Sequence, residues 1–449
     1  MDRNIRLHIL HPTEYTNNRT NVPEVIELFD YSTMPNRSIL MIDARSFYAS
    51  AHCSLLGLDP LTTYLAVVGD PDRNGSIVLA ASVALKRDFG VSNVSRYFEL
   101  PKDPRIQIVK ARMSQYMQIS LELMKILNEF APYDSMLQYS IDEGWIDISG
   151  TEKLFGDKWQ TARSLKEKIW SELKIPVVIG MGPNMLLAKL CLDIEAKKSP
   201  EGIAEWQYED LPEKLWPVPV KKMWGIGSRM ERNLHQIGIR TVGHIAYYDA
   251  KVLEKRFGIM GVQLYNHSWG IDFSEVRPNY DVDHKSYGNG ITLLRDYTKA
   301  SEIKIVIREL CDEVCRRARK DGKHGRTISL GIGYSQEGLS TGFSHSTSIE
   351  TPTYFEDEMY DVCLKLFDKY YQPGAVVRSV YVALSHLSSD DEIQLDMFNY
   401  EARLKKEHLT AAVDKIRERF GVQAILKASS HADGGIAIER SMKIGGHYG

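Results

Sequence analysis

The stretch QYSIDEGWIDISG, Gln138 to Gly150, sets two carboxylates side by side, Asp142 and Glu143, in a pattern that otherwise alternates like a strand. A third, Asp43, closes the short apolar run SILMID (Ser38–Asp43). If those strands are neighbours, three carboxylates meet at one end of a sheet. Carboxylates that close raise one another's pKa unless a cation lies between them. An all-oxygen donor set suits Mg²⁺ or Mn²⁺, and a pair of such ions about 3.5–4 Å apart serves in-line displacement at phosphorus. Cations to hold a phosphate chain are available in Lys86 and Arg87, within LKRDFG, and in Lys189, in the helix after PVVIGMGP. Such donors stabilise the charge that grows on leaving phosphate oxygens. Solvated turn acids and ordinary surface cations would give the same pattern, so the residues alone leave both readings open.

The elements that must position these groups can be read from periodicity. SILMID reads as a buried strand and ARSFYASAHCSLLG as a helix; YLAVVGD and GSIVLAAS are further strands. Met113, Tyr116, Ser120, Leu123, Leu127 and Phe130 recur at helical spacing, which predicts a helix over 112–130. MLQYSI and WIDIS predict a hairpin bent at Asp142–Gly144. Trp159, Ala162, Leu165, Ile169 and Leu173 mark another helix, PVVIGMG a strand and NMLLAKLCLDIEAKK a helix. The order predicts a sheet with helices on one side, an α+β core, with a small inserted subdomain. The proline-rich run around Trp206–Pro219 reads as a boundary, 220–275 as helical and compact, and RPNYDVDHKS (277–286) as a linker. Beyond it, ITLLRDY, a helix over 301–320, the strands TISLGIGY and GFSHSTSI, a helix over 354–371 and VVRSVYVAL predict a β-α-β-β-α-β unit. A polar bend at SSDDE and a mixed tail follow.

With 449 residues, about three domains are expected at ~150 residues each. The net charge of -3 gives no global basic signature, so a nucleic-acid partner requires a local basic face. Two stretches offer one. In WGIGSRMERNLHQIGI, Gly225 and Gly227 would let the backbone turn tightly and bring its amides to a phosphate. In RRARKDGKHGR the cations Arg316, Arg317, Arg319, Lys320, Lys323 and Arg326 face a single acid, and phosphate contacts of that kind are salt-dependent. A plain helical hairpin and a solvated helix end are the alternatives. Five scattered cysteines suit free thiols in a reducing compartment and make no zinc site. With no apolar leader and no bilayer-length run, a soluble cytoplasmic protein is expected.

MIDARSFYAS, YSIDEGWIDISG, GMGPNMLLAKL, KKMWGIGSRMERNLHQIGI and KSYGNGITLLRDY, in that order, resemble a Y-family translesion DNA polymerase, most closely the UmuC-like branch of Gram-positive bacteria. The resemblance runs from about Ser38 to the C-terminus. It implies an α+β, multidomain right-hand polymerase: palm at 38–52 and 111–205, small fingers at 53–110, helical thumb with a helix-hairpin-helix at 206–276, linker at 277–286, and little finger at 287–390. An N-terminal extension (1–37) and a tail with a clamp-binding peptide (391–449) flank these. The implied activity is transfer of dNTP onto a primer 3′ end opposite damaged template, in DNA repair and the SOS response, without proofreading. Asp43, Asp142 and Glu143, with the main-chain carbonyl of Ala44, would hold two Mg²⁺ ions, Mn²⁺ being the alternative. Tyr48 would be the steric gate beneath the sugar, with Phe47 beside it, and Arg87 and Lys189 would contact the triphosphate. Ser46 and Ala84 stand where many members carry tyrosines near the phosphates. QLDMF resembles a peptide for the bacterial sliding clamp, with Gln394, Leu395, Met397 and Phe398 as its anchors. Primer-template DNA, dNTP and the clamp are the implied partners of a monomer. The rivals are a metal-dependent cyclase or nuclease and a clamp-tethered DNA-binding protein with an inactive site.

Overall fold

Strand β1 (Ile39–Ala44) is buried at every residue. Its alternate side chains enter two cores, Leu40 and Ile42 one and Ile39 and Met41 the other, so it is covered on both faces. Around it the chain runs α1 (Phe47–Leu55), β2 (Leu65–Val68), β3 (Val78–Ala81), α2 (Val83–Phe89), β4 (Gln107–Lys110), α3 (Met113–Phe130), β5 (Met136–Gln138), β6 (Glu143–Asp147), α4 (Glu152–Phe155), α5 (Lys158–Leu173), β7 (Val177–Gly182), α6 (Met185–Cys191) and β8 (Ile203–Glu205). This computed structural model describes residues 29–92, 95–278, 284–335, 341–389, 400–445 and 447–448. The chain divides into two compact units, one up to residue 280 and one from 281.

The central sheet of the first unit has the order β5-β6-β1-β7-β8, antiparallel except for β7 and β8. The residues that the spacing placed on the inner face of α3 are buried there. Helices cover both faces of the sheet, not one. α3 and α5 pack on the face of Leu40 and Ile42, whereas Met185, Ala188 and Leu192 pack on the face of Ile39, Met41, Trp145 and Val178. The second cover was hidden because α6 is apolar all round and carries no polar stripe to give its orientation. The insertion forms its own sheet, β3-β2-β4, over a small core that includes Val68, Leu85 and Ile106. Strand β4 was not foreseen, because its residues are mostly exposed and show no apolar period.

α6 lies close to the sheet because β7 presents glycines to it. A Cβ on Gly180 would overlap the Ala188 carbonyl and the Leu192 amide, and one on Gly182 would lie 2.7 Å from the Ala188 nitrogen. The other side of α6, with Leu186, Leu187 and Leu190, enters a core shared with Trp206, Leu211, Trp216 and Trp269. The proline-rich run at Trp206–Pro219 therefore joins packed segments. The helices α7 (Ser228–His235), α8 (Val242–Ala246), α9 (Ala250–Phe257) and α10 (Ile259–Ser268) follow. Residues 29–37, expected to precede the core, belong to it. Phe29 packs 4.8 Å from the Trp269 ring, and Tyr31 stacks on Tyr208 at 4.5 Å. The Tyr31 hydroxyl donates to the Trp269 carbonyl at 3.1 Å.

The second unit contains β9 (Ser286–Tyr297), α11 (Ala300–Lys320), β10 (Lys323–Tyr334), β11 (Gly342–Thr353), α12 (Glu356–Tyr370) and β12 (Val377–Ser389), with sheet order β11-β10-β12-β9. This is the predicted β-α-β-β-α-β, and Ile303, Val306, Leu310, Val314 and Ala318 face its core. The tail is an ordered addition: α13 (Tyr400–Phe420), α14 (Ala437–Ser441) and the short strands β13 (Lys443–Ile444) and β14 (His447–Tyr448). Asp414 pairs with Arg319 at 2.7 Å, Arg417 with Asp312 at 2.9 Å, and Lys406 with Asp357 at 2.7 Å. The segment Gln394–Phe398 lies outside the described residues. Among the described residues no helix is long and apolar enough to cross a membrane.

Gly180→Ala should lower unfolding stability by about 1–3 kcal/mol, the usual cost of overpacking, read as a fall in the urea midpoint. An unchanged midpoint would refute the close seating of α6.

Candidate active site

β1 and β6 pair antiparallel with Asp43 directly opposite Glu143. Residues 39, 41 and 43 share a face, as do 143 and 145. Ile39, Met41 and Trp145 pack on the α6 side, so both acids point there. The bend is earlier than expected: it falls at 139–142, and Glu143 and Gly144 already belong to β6. Asp142 ends the bend, and its carbonyl accepts from the Ala44 amide at 3.0 Å, tying it to the end of β1. Ser140 Oγ donates to Asp142 Oδ1 at 2.7 Å. The three carboxylates separated by a hundred residues in sequence thus share one sheet end.

Their electrostatics are those of a crowded anionic site. Burial raises the Asp142 carboxyl, and the charge of Asp43 raises it further against the Ser140 hydrogen bond. Burial and a hydrogen bond with Asp43 push Glu143 up to about 7, although Lys189 pulls the other way. Two lysines supply countercharge. Lys189 Nζ lies 2.9 Å from Glu143 Oε1, and Lys197 Nζ lies 2.9 Å from Asp43 Oδ2. Asp193 stands between them, 3.4 Å from Lys189 and 2.8 Å from Lys197. Burial alone would lower Lys197, but Asp43 and Asp193 hold its ammonium above the ordinary value. The Lys-Asp-Lys positions are four apart, and an α-helix drifts about 40° over each such step. Residues Leu192–Ala196 instead form a wider π-helical turn, a feature that often marks functional sites. Among the described residues no group of three carboxylates stands ready-made as a metal cage; the lysine ammoniums occupy positions against the acids.

A cavity of about 820 Å³ opens beside this sheet end, between the sheet and the inserted subdomain. Asp43, Ala44, Phe47, Tyr48, Arg87 and Asp142 line it, together with Arg45, Ser46, Lys86 and Lys197. Burial lowers the Lys86 ammonium, and neighbouring Arg45 and Lys197 lower it further while Asp43 opposes them. Cations crowded in this way favour a polyanion. The Tyr48 ring is stacked on Tyr116 at 5.4 Å, and the Tyr116 hydroxyl and His52 Nδ1 are 2.7 Å apart. Ser46, at the start of α1, is left-handed (φ 53°), a strained backbone for a non-glycine residue.

Several sequence expectations change here. Lys189 does not line the cavity; it is buried against Glu143, and Lys197, missed because it follows an irregular turn, lines it instead. Arg87 lines the cavity while pairing with Asp88 at 2.6 Å. Ala84 is buried and does not line it. Gly225 (φ 89°) and Gly227 are exposed before α7, in the open turn the spacing required. The basic stretch is not one surface. Arg316 pairs with Glu313 at 2.9 Å, Arg317 donates to the Gly288 carbonyl at 2.7 Å, Arg319 is held by Asp414, and Lys323 donates to Ser389 at 3.1 Å. Lys320 and Arg326 are the exposed members.

A sheet whose end carries these acids, a small insertion over a cation-lined cavity and a separate β-α-β-β-α-β unit define a polymerase-type nucleotidyl-transfer architecture. The impB/mucB/samB family matches residues 42–193, its C-terminal domain 284–397, and the HHH motif of the IMS family 208–239. The chain belongs to this family, the Y family of DNA polymerases. It is 48% identical to the "Putative UV-damage repair protein UvrX" of Bacillus subtilis (strain 168) over 94% of this chain and 100% of that one. It is 39% identical to "DNA polymerase IV 2" of the same organism over 92% of this chain and 100% of that one. In fold it is similar to a Y-family DNA polymerase chimera, with TM-score 0.62 and 22% identity over 79% of this chain and 100% of that chain.

Breaking a buried ion pair by removing one partner costs about 3–5 kcal/mol. Lys189→Met should therefore destabilise the chain by roughly 3 kcal/mol, and adding Glu143→Gln should recover most of the loss. Denaturant unfolding of the two variants checks this; no recovery in the double variant would exclude the pair as the cause.

Proposed function

We infer that the chain is a DNA-directed DNA polymerase of the translesion type, acting on primer-template DNA and dNTP. The observation that carries this is the register of Asp43 opposite Glu143, next to Asp142, at the mouth of a cation-lined cavity of nucleotide size. The primer 3′-hydroxyl gives up its proton to water and attacks the α-phosphorus of the bound dNTP, the new phosphodiester bond forms, and pyrophosphate leaves with the broken bond's electron pair. Lys197, Lys86, Arg45 and Arg87 are suited to hold the triphosphate. Tyr48, propped on Tyr116, would lie against the sugar and leave no room for a 2′-hydroxyl.

The donor set fits two hard divalent cations, Mg²⁺ in the first place: it is all oxygen, and its charge draws two ammonium groups to within 2.9 Å. Asp43, Asp142, Glu143 and the Ala44 carbonyl would hold them. When bound, such ions lower the pKa of an attacking hydroxyl and neutralise leaving oxygens. The inserted subdomain has a small core, and loose enclosure of the base pair by it would leave room for a damaged base. In the second unit, Lys320 and Arg326 are candidates for phosphate contacts, and in the first, the amides around Gly225 and Gly227. The clamp reading of Gln394–Phe398 is carried by its sequence alone.

Asp142→Ala with Glu143→Ala should reduce primer extension by more than about 10³-fold, while gel-shift binding of primer-template persists. Extension at the wild-type rate would exclude the site. Tyr48→Ala should retain extension and admit ribonucleotides at least about tenfold better. Unchanged sugar discrimination in single-nucleotide kinetics would remove the gate assignment.

A further inference from the structure

A second, smaller cavity of about 250 Å³ adjoins the nucleotide cavity in the first unit. The two share Arg45 and Leu61 in their walls. Lys197 lines the first, and the turn that follows it lines the second through Ser199 and Pro200. Trp170 of α5 and the residues Ile175, Pro176, Val177 and Val178, at the start of β7, complete the wall. The Arg45 amide donates to the Pro176 carbonyl at 2.8 Å, which fixes the root of its side chain where the two spaces meet.

The charge of this smaller cavity is of one sign. Arg45 and Lys166 line it, and among the described residues no Asp or Glu does. Lys166 is half-buried, and its Nζ donates to the Glu201 carbonyl. The Glu201 carboxylate outside the wall is taken by Arg163 at 2.5 Å. Burial lowers the Lys166 ammonium; Glu201 opposes this, and the charge of Arg45 lowers it further. Two cations that meet across a space without a carboxylate are relieved by an anion placed between them. Lys166 keeps further N–H donors beyond its bond to Glu201, Arg45 offers a fork of them, and the Ser199 hydroxyl can add another. The space falls below the roughly 300–1,000 Å³ usual for organic-ligand pockets, so it suits a small inorganic ion.

We propose that this pocket receives the pyrophosphate that the polymerase reaction releases, passed from the nucleotide cavity by Arg45 and held against Lys166. The proposal rests on the polymerase reading above, which supplies the anion. A leaving group must clear the nucleotide cavity before the next nucleotide binds, yet the cations that stabilise it there also hold it back. Arg45 is the cation common to both walls. Its donor fork can bond phosphate oxygens on either side, so the anion moves across without losing all its partners at once.

The test is calorimetric titration of inorganic pyrophosphate into the full chain with primer-template, Mg²⁺ and a saturating non-hydrolysable dNTP analogue, which fills the first cavity. Saturable binding is expected, with orthophosphate weaker by about tenfold or more, the scale of one charge-assisted hydrogen bond. Lys166→Gln removes the charge and keeps an N–H donor; it should weaken pyrophosphate about tenfold or more while the analogue binds as before. Ser199→Glu, at a half-exposed wall position, should weaken it comparably by repulsion, with an unchanged melting temperature. If the analogue binds but pyrophosphate does not, or if both variants bind pyrophosphate as tightly as the wild type, the pocket assignment is overturned while the polymerase reading stands. Orthophosphate binding as tight as that of pyrophosphate would make this a general anion site and overturn the assignment as well. If the analogue itself fails to bind, the polymerase reading falls and the product assignment falls with it.

Discussion

The first unit depends on placing three carboxylates where they have little water to solvate them. Asp43 is buried at the end of a strand that is buried on both faces, and burying a charge without compensation is prohibitive. The compensation comes from α6 and the turn after it. Lys189 and Lys197 reach Glu143 and Asp43 only if that helix lies close on the sheet, and it lies close only because β7 presents Gly180 and Gly182. The helix in turn needs an apolar cover on its far side, which the core around Trp206, Trp216 and Trp269 provides. Acids, lysines, glycines and tryptophans form one chain of necessity, from site to outer packing.

The cavity beside the acids is organised by opposite charges at close range. Burial disfavours the charged forms of Lys86, Asp142 and Glu143, and like charges nearby, Arg45 and Lys197 for the lysine and Asp43 for the acids, push each further the same way. Lysine–carboxylate contacts relieve part of both strains. A nucleotide with its counter-ions would bring the remaining charge of each sign, which is the logic of a site preorganised for the transition state more than for the empty protein. The aromatic stack of Tyr48 on Tyr116 adds a rigid, uncharged floor.

Much of this could be read from the sequence, and the failures have physical causes. The α3 face and the inner face of α11 were legible because amphipathic helices carry their own orientation. The convergence of Asp43 with Asp142 and Glu143 was legible because Asp43 lies at the end of one strand with a strong apolar pattern, and Asp142 and Glu143 lie at the start of another. α6 was legible as a helix but not in its placement, being apolar on every side. Lys197 was missed because a π-helical turn breaks the spacing that would have aligned it with Lys189. The cations of the Arg316–Arg326 stretch looked like one basic surface, but composition cannot show that Asp414, a hundred residues on, claims Arg319. The tail's helices lacked an apolar stripe because charge pairs do much of their docking.

The seating of Phe29 and Tyr31 bears on how the chain is made. Tyr31 hydrogen-bonds to Trp269, 238 residues later in the sequence. At ribosomal speeds of roughly 5–20 residues per second, the two aromatic rings leave the ribosome some 10–50 s before their seat exists. For that interval they are exposed oily groups at the front of a nascent chain. Their seating cannot precede the synthesis of Trp269, so the two ends of the first unit are packed together only after nearly all of it has been made.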